Sequence, residues 1–216
     1  MAPTTAAVLR TASLVALGTT AAVAVLTRTR GVQRLDDAVE ALVGRHRPRL
    51  ARAARIATLP GESYMHPTIG GAIALAILRR RGTRARRILI PMASASLGAI
   101  VAHHAVKAVY RRRRPEIAIR RGKFEPAFPS GHTADATAVL ATGAYLLVRE
   151  RMLRREIAIP IAVALAAGTG ASRIVLGWHW SSDVIGGWLT GLGVAAECAL
   201  VYERLRQPFT VSQAAG

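Results

Sequence analysis

Six long apolar segments, separated by clusters of arginine, constrain the fold of this 216-residue chain more than any other feature. A membrane-spanning helix needs about 20 mostly apolar residues, with a range of about 17–25. Backbone polar groups inside a bilayer must be satisfied within the segment, so apolar stretches of this length form helices. We therefore expect an all-α protein, a bundle of six transmembrane helices that forms a single domain over residues 1–216 and ends in a frayed tail at residues 211–216. The predicted spans are residues 11–27, 62–78, 88–106, 133–148, 157–176 and 184–202.

The first apolar segment has a second interpretation. Arg10 precedes it, and it ends near the Ala-Val-Ala sequence at residues 22–24, a pattern that also fits a cleavable signal peptide. A retained helix is favoured, because the five segments that follow would still hold the chain in the membrane.

The formal net charge of +18 raises nucleic-acid binding as a function. The distribution of the charge argues against it, because the arginines cluster between apolar segments and are not interleaved with stacking aromatics. Loops rich in Lys and Arg stay on the cytoplasmic side of a membrane. Three such clusters fall on one side by parity: residues 79–87, 149–155 and 204–206. This pattern predicts a multi-pass protein of the cytoplasmic membrane, with both termini cytoplasmic and no nucleic-acid partner.

An arginine-rich stretch at residues 28–58 departs from this charge pattern. Apolar residues recur at helical spacing within residues 35–43, and Pro48 begins a second stretch whose apolar residues face away from its arginines. The segment 32–58 is therefore predicted to form two short amphipathic helices on the membrane surface, with arginines against lipid phosphates. A solvated loop is the alternative.

Lysine is rare in this chain, since only Lys107 and Lys123 occur among thirty basic residues. Lys107 stands seven residues before Arg114, a spacing that places both on one helical face. Arginine offers a planar fork to two phosphate oxygens, and lysine adds a compact point charge. The pair indicates a phosphate site, although the run Arg111–Arg114 taken alone better suits contact with lipid headgroups.

A loop that enters a helix is predicted at the sequence Pro129-Ser130-Gly131-His132. Ser130 suits the N-cap, and Gly131 allows the backbone to approach a ligand. Amides at a helix N-terminus bind phosphate oxygens, and His132 in the first turn can give or take a proton. Asp135 lies one turn further on and either pairs with His132 or favours the positive end of the helix.

The third block contains Arg173, His179 and Asp183. Asp183 follows His179 by four residues, so that on a helix the carboxylate lies one turn beyond the imidazole. A carboxylate on one ring nitrogen fixes the tautomer and makes the other nitrogen a better nucleophile. The alternative is a simple aromatic belt, because Trp178 and Trp180 flank the histidine.

Together the three blocks resemble the type 2 phosphatidic acid phosphatase superfamily, which includes the lipid phosphate phosphatases and the vanadium haloperoxidases. The family pattern is Lys-x6-Arg-Pro, then Pro-Ser-Gly-His, then Ser-Arg-x5-His-x3-Asp. All eleven fixed positions are filled, in order, within residues 107–183. The resemblance implies an enzyme, a histidine phosphatase with its active site at the extracytoplasmic membrane surface.

The resemblance also assigns roles to the matching residues. His179 attacks phosphorus and forms a phosphohistidine, Asp183 orients it, and His132 protonates the leaving oxygen and then activates water. Five residues hold the phosphoryl oxygens: Lys107, Arg114, Ser130, Gly131 and Arg173. No metal and no other cofactor is implied. Three further histidines lack metal-ligand spacing and are interpreted as polar packing or pocket lining: His66, His103 and His104.

The predicted function is hydrolysis of a lipid phosphate or diphosphate within the bilayer. Undecaprenyl diphosphate or another polyprenyl phosphate comes first, followed by phosphatidic acid and phosphatidylglycerophosphate; the motifs contact only the phosphoryl group and do not separate these lipids. One alternative is a non-catalytic lipid-binding or transport protein on the same fold, which the retention of both histidines disfavours. Another is haloperoxidase chemistry with bound vanadate, which the six predicted spans disfavour. The oligomeric state is not predicted.

Overall fold

The computed structural model describes residues 4–207, and over these residues the chain forms eight α-helices, one short 3-10 helix and no strand. The predicted all-α class is confirmed. The predicted tail at residues 211–216 lies outside the described residues. The helices are α1 (Thr5–Leu26), α2 (Arg30–Ala57), α3 (Met65–Arg81), α4 (Ala85–Val109), α5 (Glu116–Arg120), α6 (Gly131–Arg149), α7 (Arg155–Val175) and α8 (Ser181–Arg206), with the 3-10 turn Leu59–Gly61 between α2 and α3.

Four of these helices are long and apolar enough to cross a membrane by length and composition: α1, α4, α7 and α8. They correspond to the first, third, fifth and sixth predicted spans. The other two predicted spans correspond to α3, which has 17 residues and ends in three arginines, and to α6, which carries His132, Asp135 and three threonines. The structure shows a bundle of helices, four of which are long and apolar enough to cross a membrane. The count of six spans stays a prediction.

The core of the bundle is α6, which packs against α3, α4, α7 and α8. Glycines of α8 allow the close approach of α8 to α6. A Cβ atom on Gly187 would lie 2.7 Å from the carbonyl oxygen of Ser130, and one on Gly191 would lie 2.6 Å from that of Ala134. Small residues at such positions let helix backbones come together. The start of α6 is therefore held directly against α8.

Two of the arginine clusters meet at one end of the bundle. Arg81 Nη2 donates to the carbonyl oxygen of Arg151 at 2.5 Å, and Thr83 Oγ1 donates to Glu150 Oε2 at 2.9 Å. Tyr202, near the end of α8, donates its hydroxyl to Glu150 Oε1 at 2.6 Å. The clusters at residues 79–87, 149–155 and 204–206 thus share one end, and the motif residues lie at the other.

The predicted pair of short amphipathic helices is wrong, because α2 is one helix of 28 residues that continues through Pro48. Proline removes a backbone hydrogen bond and usually bends or ends a helix. Here contacts on both sides of Pro48 hold α2 in place. Before the proline, Arg47 Nε donates to the carbonyl oxygen of Val175 at 2.7 Å; after it, the carbonyl oxygen of Ala57 accepts from Thr169 Oγ1 at 3.1 Å. The position of α2 on a membrane surface stays a prediction.

Candidate active site

The three sequence blocks come together in a cavity of about 1030 Å³ at the end of the bundle opposite the arginine clusters. Six predicted site residues line it: Lys107, Arg114, Gly131, His132, Arg173 and His179. Ser130 and Asp183 lie behind the wall with no exposed surface, and Ser130 N donates to the carbonyl oxygen of Asp183 at 3.0 Å. Ser130 is the N-cap residue of α6, as predicted.

Arg114 reaches the cavity from a segment outside α4. The predicted common helical face for Lys107 and Arg114 is therefore wrong, because α4 ends at Val109. Proline at position 115 disfavours helical backbone at the residue before it. The two cations still line the same cavity, Lys107 from the last turn of α4 and Arg114 from the connection to α5.

Side chains alternate in direction along this connection, as they do along extended backbone. Arg111 and Arg113 are exposed, whereas Arg112 is half-buried and Arg114 is buried. Arg114 donates through Nε to the carbonyl oxygen of Glu125 at 2.8 Å. Two of the four consecutive arginines therefore belong to the interior of the site, and the other two face outward.

Arg114 and Asp183 bracket the imidazole of His179. Arg114 Nη1 lies 3.1 Å from His179 Nε2, and Asp183 Oδ2 lies 3.6 Å from His179 Nδ1. A guanidinium group only donates hydrogen bonds, so Nε2 is the acceptor and the ring proton is on Nδ1, toward the carboxylate. Burial, together with the charges of Arg114, Arg173 and Lys107, lowers the pKa of His179 well below its ordinary value. The ring is neutral at pH 7, and the lone pair of Nε2 is available.

His179 and Asp183 do not share a helix, contrary to the prediction from their spacing. His179 lies in the turn before α8, and Trp180 is the N-cap residue. Asp183 Oδ2 accepts a hydrogen bond from Trp180 N at 2.9 Å. A carboxylate at this position satisfies a free amide of the helix N-terminus. Asp183 therefore caps α8 and faces the imidazole at the same time.

Arg112, which the sequence analysis did not single out, joins Asp183 to a second carboxylate, Asp36 of α2. Arg112 Nη1 lies 2.6 Å from Asp183 Oδ1, and Arg112 Nη2 lies 2.7 Å from Asp36 Oδ2. The two carboxylates are 0% and 2% exposed. Buried charges need both a partner and hydrogen bonds, and the guanidinium fork gives them to both groups at once.

Asp36 also binds the first residues of α8. Its carboxylate accepts from Ser181 Oγ at 2.6 Å, from Ser182 N at 3.0 Å and from Ser182 Oγ at 2.6 Å. Burial raises the pKa of Asp36, but the hydrogen bonds from Ser181, Ser182 and Arg112 outweigh burial and hold the pKa below its ordinary value. Asp36 is therefore ionised at neutral pH and ties α2 to the turn that carries His179.

The connection between α2 and α3 covers the His132 side of the cavity. Glu62 Oε1 lies 3.2 Å from His132 Nε2, and Arg173 Nη1 donates to Thr58 Oγ1 at 2.8 Å. A Cβ atom on Gly61 would collide with the carbonyl oxygen of His132, so only glycine fits there. Glu62 was predicted at the start of a span, outside the site.

Asp135 pairs with His103 and not with His132. The distance from His103 Nε2 to Asp135 Oδ1 is 3.5 Å, and both side chains are buried. His66 and His104 line the cavity together with His103, as predicted. Within residues 4–207, no three His, Cys, Asp or Glu residues are placed to hold a metal ion.

The chain was compared with models of known protein families. Residues 88–207, more than half of the chain, match the model of the PAP2 superfamily. The chain belongs to the PAP2 superfamily. The match includes the whole stretch from Lys107 to Asp183, so it confirms the resemblance that the three motifs predicted.

A solved PAP2 structure has the same fold. The chain is similar to the crystal structure of the first transmembrane PAP2 type phosphatidylglycerolphosphate phosphatase from Bacillus subtilis, with a TM-score of 0.80 and 24% identity. The likeness covers 92% of this chain and 98% of that chain. At this identity it shows a membrane PAP2 fold.

Curated relatives of this PAP2 chain include two enzymes called phosphatidylglycerophosphatase B. The protein from Bacillus subtilis (strain 168) is 34% identical over 90 residues, which are 40% of this chain and 44% of the relative. The one from Escherichia coli (strain K12) is 37% identical over 86 residues, 39% of this chain and 32% of the relative. The chain thus spans less than half the length of these two relatives. A decaprenylphosphoryl-5-phosphoribose phosphatase from Mycobacterium tuberculosis (strain ATCC 25618 / H37Rv) is 32% identical over 152 residues, 67% of this chain and 79% of the relative.

Proposed function

We propose that the protein is an integral membrane phosphatase that hydrolyses a lipid phosphate or diphosphate through a phosphohistidine intermediate. The observation that carries the proposal is the 3.1 Å distance between Arg114 Nη1 and His179 Nε2 within the motif-lined cavity. A phosphoryl group that displaces this contact meets a nitrogen lone pair on one side and a guanidinium on the other. Both are needed for phosphoryl transfer to a protein nucleophile.

The charges around the cavity suit the transition state of that transfer. Lys107, Arg114 and Arg173 line the cavity together with the N-terminal residue of α6, Gly131. Cations and helix amides fixed in advance stabilise charge that develops on phosphoryl oxygens. Because three protein cations and a helix N-terminus can hold these oxygens, we propose a metal-independent reaction.

The proposed reaction has two displacements. In the first, the lone pair of His179 Nε2 forms a bond to phosphorus, the bond from phosphorus to the lipid oxygen breaks, and that oxygen takes a proton from His132. In the second, His132 accepts a proton from water, the water oxygen attacks phosphorus, and the P–N bond breaks to regenerate His179 and release inorganic phosphate. Asp183 orients the ring of His179 through Nδ1.

The proposed substrates share a phosphoryl group attached to a membrane lipid. The names of the relatives state phosphatidylglycerophosphate and a decaprenylphosphoryl phosphoribose as their substrates. For this chain we propose the same class: a polyprenyl diphosphate such as undecaprenyl diphosphate, phosphatidic acid or phosphatidylglycerophosphate. Apolar helices next to the cavity let the lipid stay in the bilayer during the reaction.

Phosphate release by the purified protein in detergent tests this proposal. We expect release with EDTA present, because the cavity supplies its own cations. The panel is undecaprenyl diphosphate, phosphatidic acid, phosphatidylglycerophosphate and a soluble phosphate ester. Release that stops on metal removal and returns with a divalent ion would reject the metal-independent mechanism. No release from any compound would favour a non-catalytic lipid-binding or transport protein.

We further propose that α3 and α6 complete a set of six spans, with α2 lying at the membrane surface. The arginine clusters at one end of the bundle support a cytoplasmic position for that end, in the cytoplasmic membrane. The cavity then faces the extracytoplasmic side, and both termini are cytoplasmic. The cations at residues 111–114, 120, 121 and 123 then lie on the extracytoplasmic side, where the positive-inside rule predicts few Lys and Arg residues. Phosphate binding explains why some of them are found there.

Cysteine labelling tests this orientation in a Cys198→Ala background. Phe124 is 78% exposed beside the cavity, and the Arg154 side chain is 82% exposed at the opposite end. A membrane-impermeant maleimide added to intact cells should label Phe124→Cys and should label Arg154→Cys only after the membrane is opened. The reverse pattern would overturn the outward-facing cavity.

A further inference from the structure

We propose that Glu62 is a positioning residue for His132: its carboxylate orients the imidazole and stabilises the protonated ring that gives a proton to the leaving oxygen. The family pattern does not include this residue, which lies outside the three motifs. The inference rests on the proposed phosphatase activity and concerns the first displacement of its reaction.

The geometry places the two groups in direct contact. Glu62 Oε1 lies 3.2 Å from His132 Nε2, and the two side chains are 32% and 28% exposed. The connection that carries Glu62 is held in place from both sides. Thr58 accepts a hydrogen bond from Arg173, and the backbone of Gly61 lies against the backbone of His132. These contacts therefore fix the backbone that carries Glu62 close to His132.

The surrounding positive charges oppose protonation of His132, and a carboxylate at this position counteracts them. The groups that face His132 are the cations Lys107, Arg114 and Arg173 and the neutral ring of His179. Like charges disfavour a protonated imidazole. The other nearby carboxylates are engaged elsewhere, since Asp135 faces His103 and Asp183 faces Arg112. Among residues 4–207, Glu62 is the one carboxylate within ion-pair distance of His132.

The contact also assigns the two ring nitrogens of His132. Because Nε2 lies 3.2 Å from Glu62 Oε1, we assign Nδ1 as the nitrogen that donates its proton to the leaving oxygen as the P–O bond breaks. In the second displacement Nδ1 takes a proton from the attacking water, so the ring returns to its protonated form. Glu62 keeps its negative charge throughout. A carboxylate that holds an imidazole in one tautomer in this way is a recurring device of acid–base sites.

The dependence of the rate on the leaving group distinguishes this role from a purely structural one. An alkyl oxygen needs a proton as it leaves, whereas a nitrophenolate leaves without one. General acid catalysis contributes about 10²–10⁴-fold. We therefore expect Glu62→Gln to lower kcat/KM for dodecyl phosphate by about 100-fold, the lower end of that range. For a nitrophenyl phosphate that carries a dodecyl chain, we expect a loss below about threefold, because that leaving group does not draw on the acid. The ratio kcat/KM is the relevant quantity, since it reports the steps up to P–O cleavage and not the later hydrolysis.

Two comparisons complete the test. Glu116→Gln alters a carboxylate of α5 whose side chain is 57% exposed, and it should leave kcat/KM unchanged for both substrates. His132→Ala should show the same selective loss for dodecyl phosphate, and adding Glu62→Gln to it should cost nothing more, because Glu62 acts through His132.

The outcomes separate this inference from the activity on which it rests. An equal loss for both substrates in Glu62→Gln, while the wild-type protein remains active, would overturn the role of Glu62 alone. The same conclusion would follow if the double variant lost activity additively. No release from either substrate by the wild-type protein would overturn both the phosphatase and the role of Glu62.

Discussion

Replacing His179 with alanine should lower phosphate release by at least about 10⁴-fold, the scale seen when an enzyme loses its nucleophile. His179 is the histidine whose unprotonated Nε2 accepts from Arg114, in a contact that a phosphoryl group can displace, and His132 faces Glu62 instead. The rate of phosphate release in detergent measures the loss. A second measurement is covalent capture: after a brief reaction with radiolabelled substrate and an alkaline quench, the wild-type chain should keep the label and the variant should not.

The matched control is His46→Ala, which removes an exposed histidine of α2. It should retain both turnover and labelling. The thermal unfolding midpoint of His179→Ala should stay near that of the wild-type protein, because a neutral ring is removed and Asp183 keeps its contact with Arg112. Labelling that persists in His179→Ala would show that another residue is the nucleophile.

Replacing Arg112 with leucine should lower the free energy of unfolding by about 3–5 kcal/mol, because breaking a buried ion pair leaves an uncompensated charge behind. Here two carboxylates, Asp36 and Asp183, would lose their shared partner. Turnover should fall as well, since the carboxylate that faces His179 is no longer fixed. Arg112→Lys should recover part of the stability, because one ammonium can approach only one carboxylate well. Thermal unfolding in detergent and kcat measure the two effects.

Arg113 provides a neighbouring control for this experiment. Its side chain is 79% exposed, and its ion pair with Glu116 at 3.3 Å lies on the surface, where such pairs contribute little. Arg113→Leu should therefore change stability by less than about 1 kcal/mol. If Arg112→Leu were as stable and as active as Arg113→Leu, the buried network would have no role in holding the site.

The residues that perform the proposed chemistry were predictable from the sequence. The residues that hold them in position were not. Lys107, His132 and His179 stand at fixed spacings from other characteristic residues, so a single sequence predicts them. Arg112 lies in a run of four identical residues, and nothing in composition distinguishes it from its neighbours. Asp36 contributes through the way α2 crosses the start of α8, a relation between distant segments that no local pattern contains.

The errors in the placement of the site residues share one physical cause. Residue spacing predicted helical geometry for Arg114 and His179, yet both lie in turns or extended segments between helices. Glu62 was assigned to a span because it borders an apolar run. The Pro-Gly turn at residues 60–61 instead brings it against His132. Turns and close packing determine the positions of loops, and the sequences of loops lack the hydrophobic periodicity from which helices are predicted.

The run of four arginines at positions 111–114 has a consequence for the register of its segment. A slip of two residues would bring Tyr110 or Glu116 to an inward position, but a slip of one can put Arg111 and Arg113 where Arg112 and Arg114 belong, with identical chemistry. The arginine side chains cannot distinguish these two registers. Backbone contacts can: the carbonyl oxygen of Arg112 accepts from Ala127 N at 2.8 Å, and that of Arg113 accepts from the indole N–H of Trp180 at 3.0 Å. The alignment of Arg114 is thus set by contacts to the backbone of its neighbours, one from the amide of residue 127 and one from the indole of Trp180.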